Sequence, residues 1–391
     1  METTWVRPLV SSESGGKTPV DSPYEQAAGL ASKQIRDYLL ERVPKFRELT
    51  ELRDKGWRNP AGDEYFAKQR RQADNSDDQQ AEYFFSMMKR NAECQTAKDT
   101  RHGVYQTLPF MVSGSPVLHH IAGSMMPDLD ISTNTLLRPQ CMAPGGFLYL
   151  AMKYNPGAYA QAFSLPVEKG GHKVLLPQHP NITVDYVDIT MLGADMGVDA
   201  IPQDHPDAHN FLPRKFYSRD AFDLVICDGQ VLRTHSRAAY RGIREPSRLI
   251  LTQLTIALEH IVPGGNMLVL LHKVETWRCV LVLRAFSRFS NVQLFKPRTA
   301  HAKRSSCYMV ASNIQPQHED AIRAVREWKR LWRTATFNTE EEYASFALSL
   351  EPKVEGVLQD FGPKLMDLGK SVWETQAIAL ARAPFVRGQR G

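Results

Sequence analysis

The sequence predicts an α/β fold for residues 126–315, built on a mostly parallel seven-stranded sheet, and three observations predict it. Short apolar runs alternate with helix-length segments after Leu136, which is the tempo of βα units. A Gly pair follows the first of these runs and an Asp-Gly follows the fourth, where such sheets carry their ligand sites. Helix-patterned sequence flanks the region on both sides.

The predicted strands are, in order, TLLRPQC, AYAQAFS, ITVDYVD, FDLVICD, NMLVLLH, NVQLFK and SCYMVAS, the last two in hairpin-like succession. GFLYLAMKY opens a helix after the first strand. A second helix carries Ile250, Leu254, Ala257, Leu258 and Ile261 on one face and stops at PGG. VETWRCVLVLRAFSRF is a third.

Upstream, QIRDYLLERV and AEYFFSMMKRNAEC repeat their apolar residues at three- and four-residue spacing, as helices do. DKGWRNPAGDE and RQADNSDDQQ read as polar connections. Residues 1–22, rich in Ser, Gly, Thr and Pro, read as a disordered tail. Their SGGKT is not a phosphate-binding loop, because Ser11 stands where its first glycine belongs and no strand precedes it. Downstream, EDAIRAVREWKRLWR, EEEYASFALSL and VEGVLQDFGPKLMDLGKSVWETQAIALARA return to helical periodicity. The expected organisation is a tail (1–22), a helical extension (23–125), the α/β domain (126–315) and a second helical extension (316–391). Both extensions are expected to pack on the central domain and cover its edges.

Hydrophobic residues make up 42% and charged residues 23%, which supplies a globular core. The net charge of +5 permits an anionic partner but excludes the dense basicity of a histone-like binder. Five scattered cysteines, Cys94, Cys141, Cys227, Cys279 and Cys307, form no CxxC pair, which argues against a zinc ribbon or a disulfide framework. No His/Cys/carboxylate cluster suggests a metal, and His172 reads as a turn residue. With no signal-peptide profile and no apolar run near the ~20 residues of a membrane span, a cytoplasmic or nuclear protein is expected.

Three strings carry chemistry. MAPGGFLYLAMKY puts two glycines at the mouth of a helix, where free amides receive a carboxylate and no side chain blocks a ligand. FDLVICDG delivers Asp228 at the end of a buried strand, although an Asp-Gly turn is a common structural use of the pair. ITVDYVDIT places Asp188 at the end of another strand on the same edge, in reach of an adenine or ribose.

Together and in this order, these strings resemble the FtsJ-type (ribosomal RNA methyltransferase-like) methyltransferases, with APGGF as motif I and FDLVICDG as motif IV. HIVPGGNMLVLL resembles the helix-PGG-strand segment that follows, and KPRTAHAKRSSCYMVASN the closing segment. SLPVEKGGH after the second strand suggests a divergent, fungal-looking branch. The resemblance covers about 180 residues and implies a Rossmann-like fold holding S-adenosylmethionine (SAM). It implies Ala143, Pro144, Gly145, Gly146, Phe147, Ser164, Asp188 and Asp228 as the cofactor site, and methylation of an RNA ribose 2′-hydroxyl as the activity.

In that family a Lys-Asp-Lys-Glu tetrad surrounds the acceptor. Asp228 matches its aspartate. No lysine lies between Lys98 and Lys153, so only Lys89 or Lys98 could replace the first lysine. Leu270 holds the place of the second, with Lys273 and His272 as possible substitutes, and Ser306 holds that of the glutamate. On the cofactor side, Pro139 and Cys141 replace the usual residues of motif I, and Ser164 replaces a ribose-binding carboxylate. The expected function is therefore a SAM-dependent methyltransferase with Asp228, Lys273 and His272 at its centre. The alternatives are a pseudo-methyltransferase that binds SAM, RNA or protein, and a small-molecule methyltransferase. Arg233, Arg237, Arg241, Lys296, Arg298, Lys303 and Arg304, in two basic stretches beside the site, are the expected RNA contacts. Tyr240 and His235 could stack on a base.

Overall fold

The computed structural model describes residues 22–74, 82–83, 85–86, 136–140, 143–155, 157–218, 220–298 and 301–387. The proposed tail, Cys94, Cys141, Lys89, Lys98 and most of the AEYFFSMMKRNAEC segment lie outside them.

Seven strands form one sheet in the order β3-β2-β1-β4-β5-β7-β6. They are β1 (Leu136–Gln140), β2 (Tyr159–Ser164), β3 (Ile182–Tyr186), β4 (Phe222–Cys227), β5 (Ile261–Leu271), β6 (Asn291–Phe295) and β7 (Cys307–Ile314). Pairings from β3 through β5 are parallel, and β7 runs antiparallel to both β5 and β6. The chain moves outward from β1 to β3 and then returns to lay β4 beside β1. The crevice at the carboxyl ends of β1 and β4 is thus the switch point of the sheet.

Helices cover both faces. Helix α4 (Gly146–Tyr154) packs with Leu224 and Ile226 of β4, Leu268 of β5 and Tyr308 of β7. The alternate residues Val225, Cys227, Met267, Val269 and Leu271 face the other way, as the two-residue period of a strand requires. There they meet α1 (Pro23–Arg42), α2 (Pro44–Trp57), α5 (Glu245–His260), α6 (Trp277–Phe289) and α9 (Val354–Ala381). A third cluster joins Phe163 of β2 and Ile256 of α5 to Trp332 of α7 (Glu319–Phe337), and α8 (Glu340–Leu350) follows. The domain is thus α/β, with helical segments before and after it.

Three boundaries differ from the sequence reading, the first being that α3 (Pro60–Asp74) runs into the RQADNSDDQQ stretch expected to be a connection. DKGWRNPAGDE is almost wholly helical: α2 runs to Trp57 and α3 begins after two residues. Pro60 starts α3 without a lost hydrogen bond, and the Asn59 side chain accepts from the Ala61 amide at 3.0 Å. Ile261 is the first residue of β5 and not the last of a helix face. The β-branched pair Ile261 and Val262 precedes Pro263, a run that favours strand over helix, and β5 continues through the PGG turn with an irregularity between Gly265 and Met267.

Candidate active site

The first wall of the crevice is the turn from β1 into α4. Gly145 is the N-cap of α4 at φ 108° and ψ 8°, a left-handed conformation that strains any residue with a Cβ. No side chain caps this helix start, and Gly145 and Gly146 are buried. The turn therefore offers backbone donors and a positive helix end, as the methionine carboxylate of SAM requires. The Pro144 carbonyl is occupied, accepting from the Leu175 amide at 3.0 Å. Phe147 is core: its ring meets Tyr308 edge-on at 5.3 Å, so it supports the turn from behind.

Asp228 forms the second wall. Register Gln140↔Cys227 between β1 and β4 brings Asp228 out at the same edge as the glycine turn. Burial pushes its carboxyl up to about 7, and among the described residues no cation offsets that cost. The buried phenol of Tyr308 feels its charge. The core on Asp228's side of the sheet contains Leu224, Ile226, Leu268, Leu270 and Tyr308.

Lys273 does not join Asp228, which corrects its expected role. It continues the opposite face of β5, after Met267, Val269 and Leu271. Its ammonium lies 3.6 Å from Glu275, which receives a 2.6 Å bond from Arg53 of α2. Against the cost of burial, Arg53 and Lys273 hold the Glu275 carboxyl down at about 2. Burial lowers the Lys273 pKa, opposed by Glu275. His272 is exposed just past the end of β5. Crowding by protein, then the charges of Lys273 and Arg304, lower its pKa and keep the ring neutral at pH 7. Ser306 stands in the loop before β7, its carbonyl accepting from Lys296.

Beyond β1, the edge belongs to Ser164 and Asp188. Ser164 ends β2 and is 2% exposed, and its carbonyl accepts from the Val187 amide. Asp188 is engaged on both oxygens, which corrects the expectation that it meets adenine or ribose. Its Oδ1 accepts from the Thr190 amide (3.1 Å) and hydroxyl (2.8 Å), and its Oδ2 accepts from Arg241 at 2.6 Å. The His235 ring approaches the same Oδ2 at 3.3 Å, off the line of a hydrogen bond. These three hydrogen bonds take most of the carboxylate's roughly four acceptor sites. Burial alone would raise the Asp188 pKa, but His235 and Arg241 outweigh it and hold the carboxyl well below the usual range.

The cluster continues through Glu245, which pairs with Arg241 and, at 2.9 Å, with Arg248. Asp188, His235 and Glu245 could by spacing hold a metal ion, but the Arg241 guanidinium already bonds both carboxylates. This cluster anchors the segment 229–244, which arches from β4 to the turn after β2. Thr234 Oγ1 donates to the Gly170 carbonyl at 2.8 Å and the Ser236 amide donates to that of Lys169 at 3.1 Å. Gly170, at φ 87°, is needed for that approach, since a Cβ there would lie 2.0 Å from the Thr234 carbonyl. Sequence reading missed the cluster, although Arg241, Glu245 and Arg248 at helical spacing are its trace.

Burial also divides the predicted RNA contacts. Arg241 is 3% exposed inside the cluster, and His235 is buried with it. Lys296, 4% exposed, donates to the carbonyls of His301 (3.3 Å), Arg304 (2.6 Å) and Ser306 (2.7 Å). Neither cation can reach a phosphate, because each is consumed by buried acceptors that would otherwise be unsatisfied. Burial brings the Lys296 pKa down to about 8. Lys296→Met should leave those three carbonyls without their donor and cost about 2–3 kcal/mol, read as a lower urea midpoint at unchanged slope. Arg237 is half-buried and donates to the carbonyls of Leu232 and His235 in its own loop. Tyr240 is half-buried beside His205. Arg233 and Arg298 are exposed, and Lys303 and Arg304 half-buried.

A parallel sheet with a reversed strand pair, a glycine-opened helix at its switch point and a carboxylate opposite define a methyltransferase-like α/β fold. Residues 140–314 match the family model for FtsJ-like methyltransferase. Among solved structures, the chain is similar to a ribosomal RNA methyltransferase from Plasmodium falciparum, at 13% identity over 51% of this chain and 98% of that one, with a TM-score of 0.31. It is similar to human methyltransferase-like protein 13 in complex with SAH, at 11% identity over 51% and 82%, TM-score 0.31. An rRNA methylase from Streptococcus thermophilus gives 10% identity over 47% and 89%, TM-score 0.27. Overlays this loose carry no argument, and the assignment rests on the family match and its motifs. No curated protein sequence matches the chain. Among the described residues no helix is long and apolar enough to cross a membrane.

Proposed function

We propose that this domain methylates an RNA ribose 2′-hydroxyl, with the methionine end of SAM at Gly145 and Gly146 and the reaction centre beside Asp228. The observation that carries the reading is the uncapped, glycine-opened start of α4 standing across the switch-point crevice from Asp228. SAM supplies a methyl group on a cationic sulfonium. The Asp228 carboxylate gives that charge a counterpart in a crevice where the described residues provide no other. The neutral, exposed ring of His272 is the base best suited to accept the hydroxyl proton in place of the absent tetrad lysine. Asp188 serves as the anchor of segment 229–244 and not as an adenosine ligand.

Titration calorimetry with SAM tests the cofactor site. Binding in the micromolar range is expected, lost in Gly145→Asp, which puts a strained backbone and a negative charge at the helix mouth. Absence of heat with millimolar SAM on the folded wild-type chain overturns the reading. For the acceptor, RNA is incubated with tritium-labelled SAM and digested to nucleosides. Label is expected on 2′-O-methyl nucleosides, and label on bases or on no RNA overturns the ribose assignment.

A further inference from the structure

With Arg241 and Lys296 internal and Arg237 bonded into its own loop, the surface cations near the crevice are Arg233, after β4, and a group between β6 and β7. Arg298 is exposed there, and Lys303 and Arg304 follow in the segment 301–306. Antiparallel register Leu271↔Cys307 and Leu270↔Tyr308 places that segment at the carboxyl end of β5, the edge that also carries Asp228.

This loop is not held by the sheet alone. The Lys303 ammonium lies over the Tyr65 ring of α3, 4.7 Å from its centroid and 3.3 Å from its hydroxyl. Arg304 Nη2 donates to Gln69 Oε1 of α3 at 3.2 Å. Gln69 in turn donates to the Tyr65 hydroxyl at 3.0 Å, so one helical turn of α3 orients both cations. From the C-terminal side, Gln376 of α9 donates to the Lys303 carbonyl at 3.1 Å, while Arg53 holds the Gln376 oxygen at 2.7 Å.

Helix α3 adds charge of its own. Tyr65, Lys68 and Arg71 recur at three-residue spacing and so share a ridge. Lys68 and Arg71 are exposed; of the acidic residues of α3, Asp63 lies in the first turn, Glu64 follows it and Asp74 is the last residue. A cationic surface therefore runs from the β6–β7 loop onto the C-terminal half of α3, with an aromatic ring at the junction. Spaced cations suit the phosphates of a flexible polyanion.

We infer that α3 is part of the RNA-binding platform: Lys68 and Arg71, continuous with Lys303 and Arg304, bind the phosphates of a single strand that leads to Asp228. This rests on the RNA reading above and gives the N-terminal helices a substrate-holding role within it.

The test is fluorescence anisotropy of the full chain with a labelled single-stranded RNA of mixed sequence, over a series of salt concentrations. Lys68→Glu/Arg71→Glu is compared with Lys33→Glu/Lys364→Glu, an equal charge change at two other exposed lysines. The α3 pair should weaken binding about tenfold and flatten the dependence of log affinity on log salt by about 1.4. The control pair should change binding less than threefold. Circular dichroism and SAM calorimetry on the same samples separate loss of the RNA surface from loss of fold or of the cofactor site. Equal effects of the two pairs, or unchanged binding by the α3 pair, overturn the platform. Wild-type protein that binds SAM but no RNA overturns the RNA reading itself.

Discussion

Asp228→Asn is expected to abolish methyl transfer and at the same time to make the protein more stable at pH 8. Loss of the carboxylate beside the acceptor should lower the rate by about 10²- to 10⁴-fold, the usual worth of such a group. The stability gain follows from the raised pKa. An unfolded aspartate titrates at about 3.9, whereas burial pushes this one up to about 7 in the folded chain. The fold therefore disfavours the ionised form. Its penalty is absent below the unfolded pKa, grows as pH rises between the two values and is complete above the folded one. Removing it should return about 2 kcal/mol at pH 8, discounted for the side chain's remaining contact with water. Melting curves of both proteins should separate at pH 8 and converge at pH 4. An Asn variant that still transfers methyl groups at the wild-type rate would move the reaction centre away from Asp228. Wild-type activity should rise through about pH 7 as the carboxyl ionises, since the ionised form is the one that balances a sulfonium.

Arg241→Met should be the most damaging single change in the central domain. The cation bonds Asp188, Thr190 and Glu245 at once, so its removal leaves two buried carboxylates short of positive charge. Breaking one side of such a pair costs about 3–5 kcal/mol. The pH dependence carries a signature that a general packing defect does not. In the wild type the depressed Asp188 pKa makes its contribution present above the unfolded value and lost as pH falls through the folded one. In Arg241→Met, Glu245 keeps Arg248 but Asp188 keeps only the His235 ring, so its pKa should rise and acidification from pH 7 to pH 5 should restore stability. A variant whose midpoint falls with acid just as the wild type does would mean that His235 and Arg248 suffice to carry the cluster.

The central scaffold was legible because its signals are local. APGGF must be a turn opening a helix, FDLVICDG must be a buried strand ending in a carboxylate, and both lie where those strings place them. What sequence could not supply was direction. Lys273 and His272 are neighbours, and period-two reasoning puts Lys273 on the far side from Leu270 only if the strand continues. The structure ends β5 at Leu271, yet Lys273 still turns to that side because Glu275 and Arg53 wait there. Arg53 is 222 residues from Glu275 in sequence, a separation at which no pattern signals a contact.

The basic stretches show the same limit. RTHSRAAYRGIREPSR looks like a solvated, phosphate-seeking face, but Arg241, Arg244 and Arg248 are buried against carboxylates and carbonyls of Asp188, Thr190, Asn338 and Glu340. KPRTAHAKR divides within itself: Lys296 is an internal donor, while Lys303 and Arg304 meet a helix more than two hundred residues earlier. Charge is visible in a sequence, whereas its partner is a property of the fold.

The helices that bracket the chain carry a consequence for biosynthesis. Leu39, Phe46 and Leu49 of the first two helices share a core with Trp373 and Ala377 of α9, and Phe46 meets Trp373 edge-on at 5.0 Å. Arg53 and Gln376, bonded in the finished protein, are 323 residues apart. At ribosomal speeds of about 5–20 residues per second, the first helices wait roughly 15–65 seconds for the surface that covers them. During that interval their apolar stripes face the exit-tunnel surroundings, a natural client for chaperones that shelter nascent chains. Truncation within α9 should therefore be felt first as aggregation of the opposite end of the polypeptide.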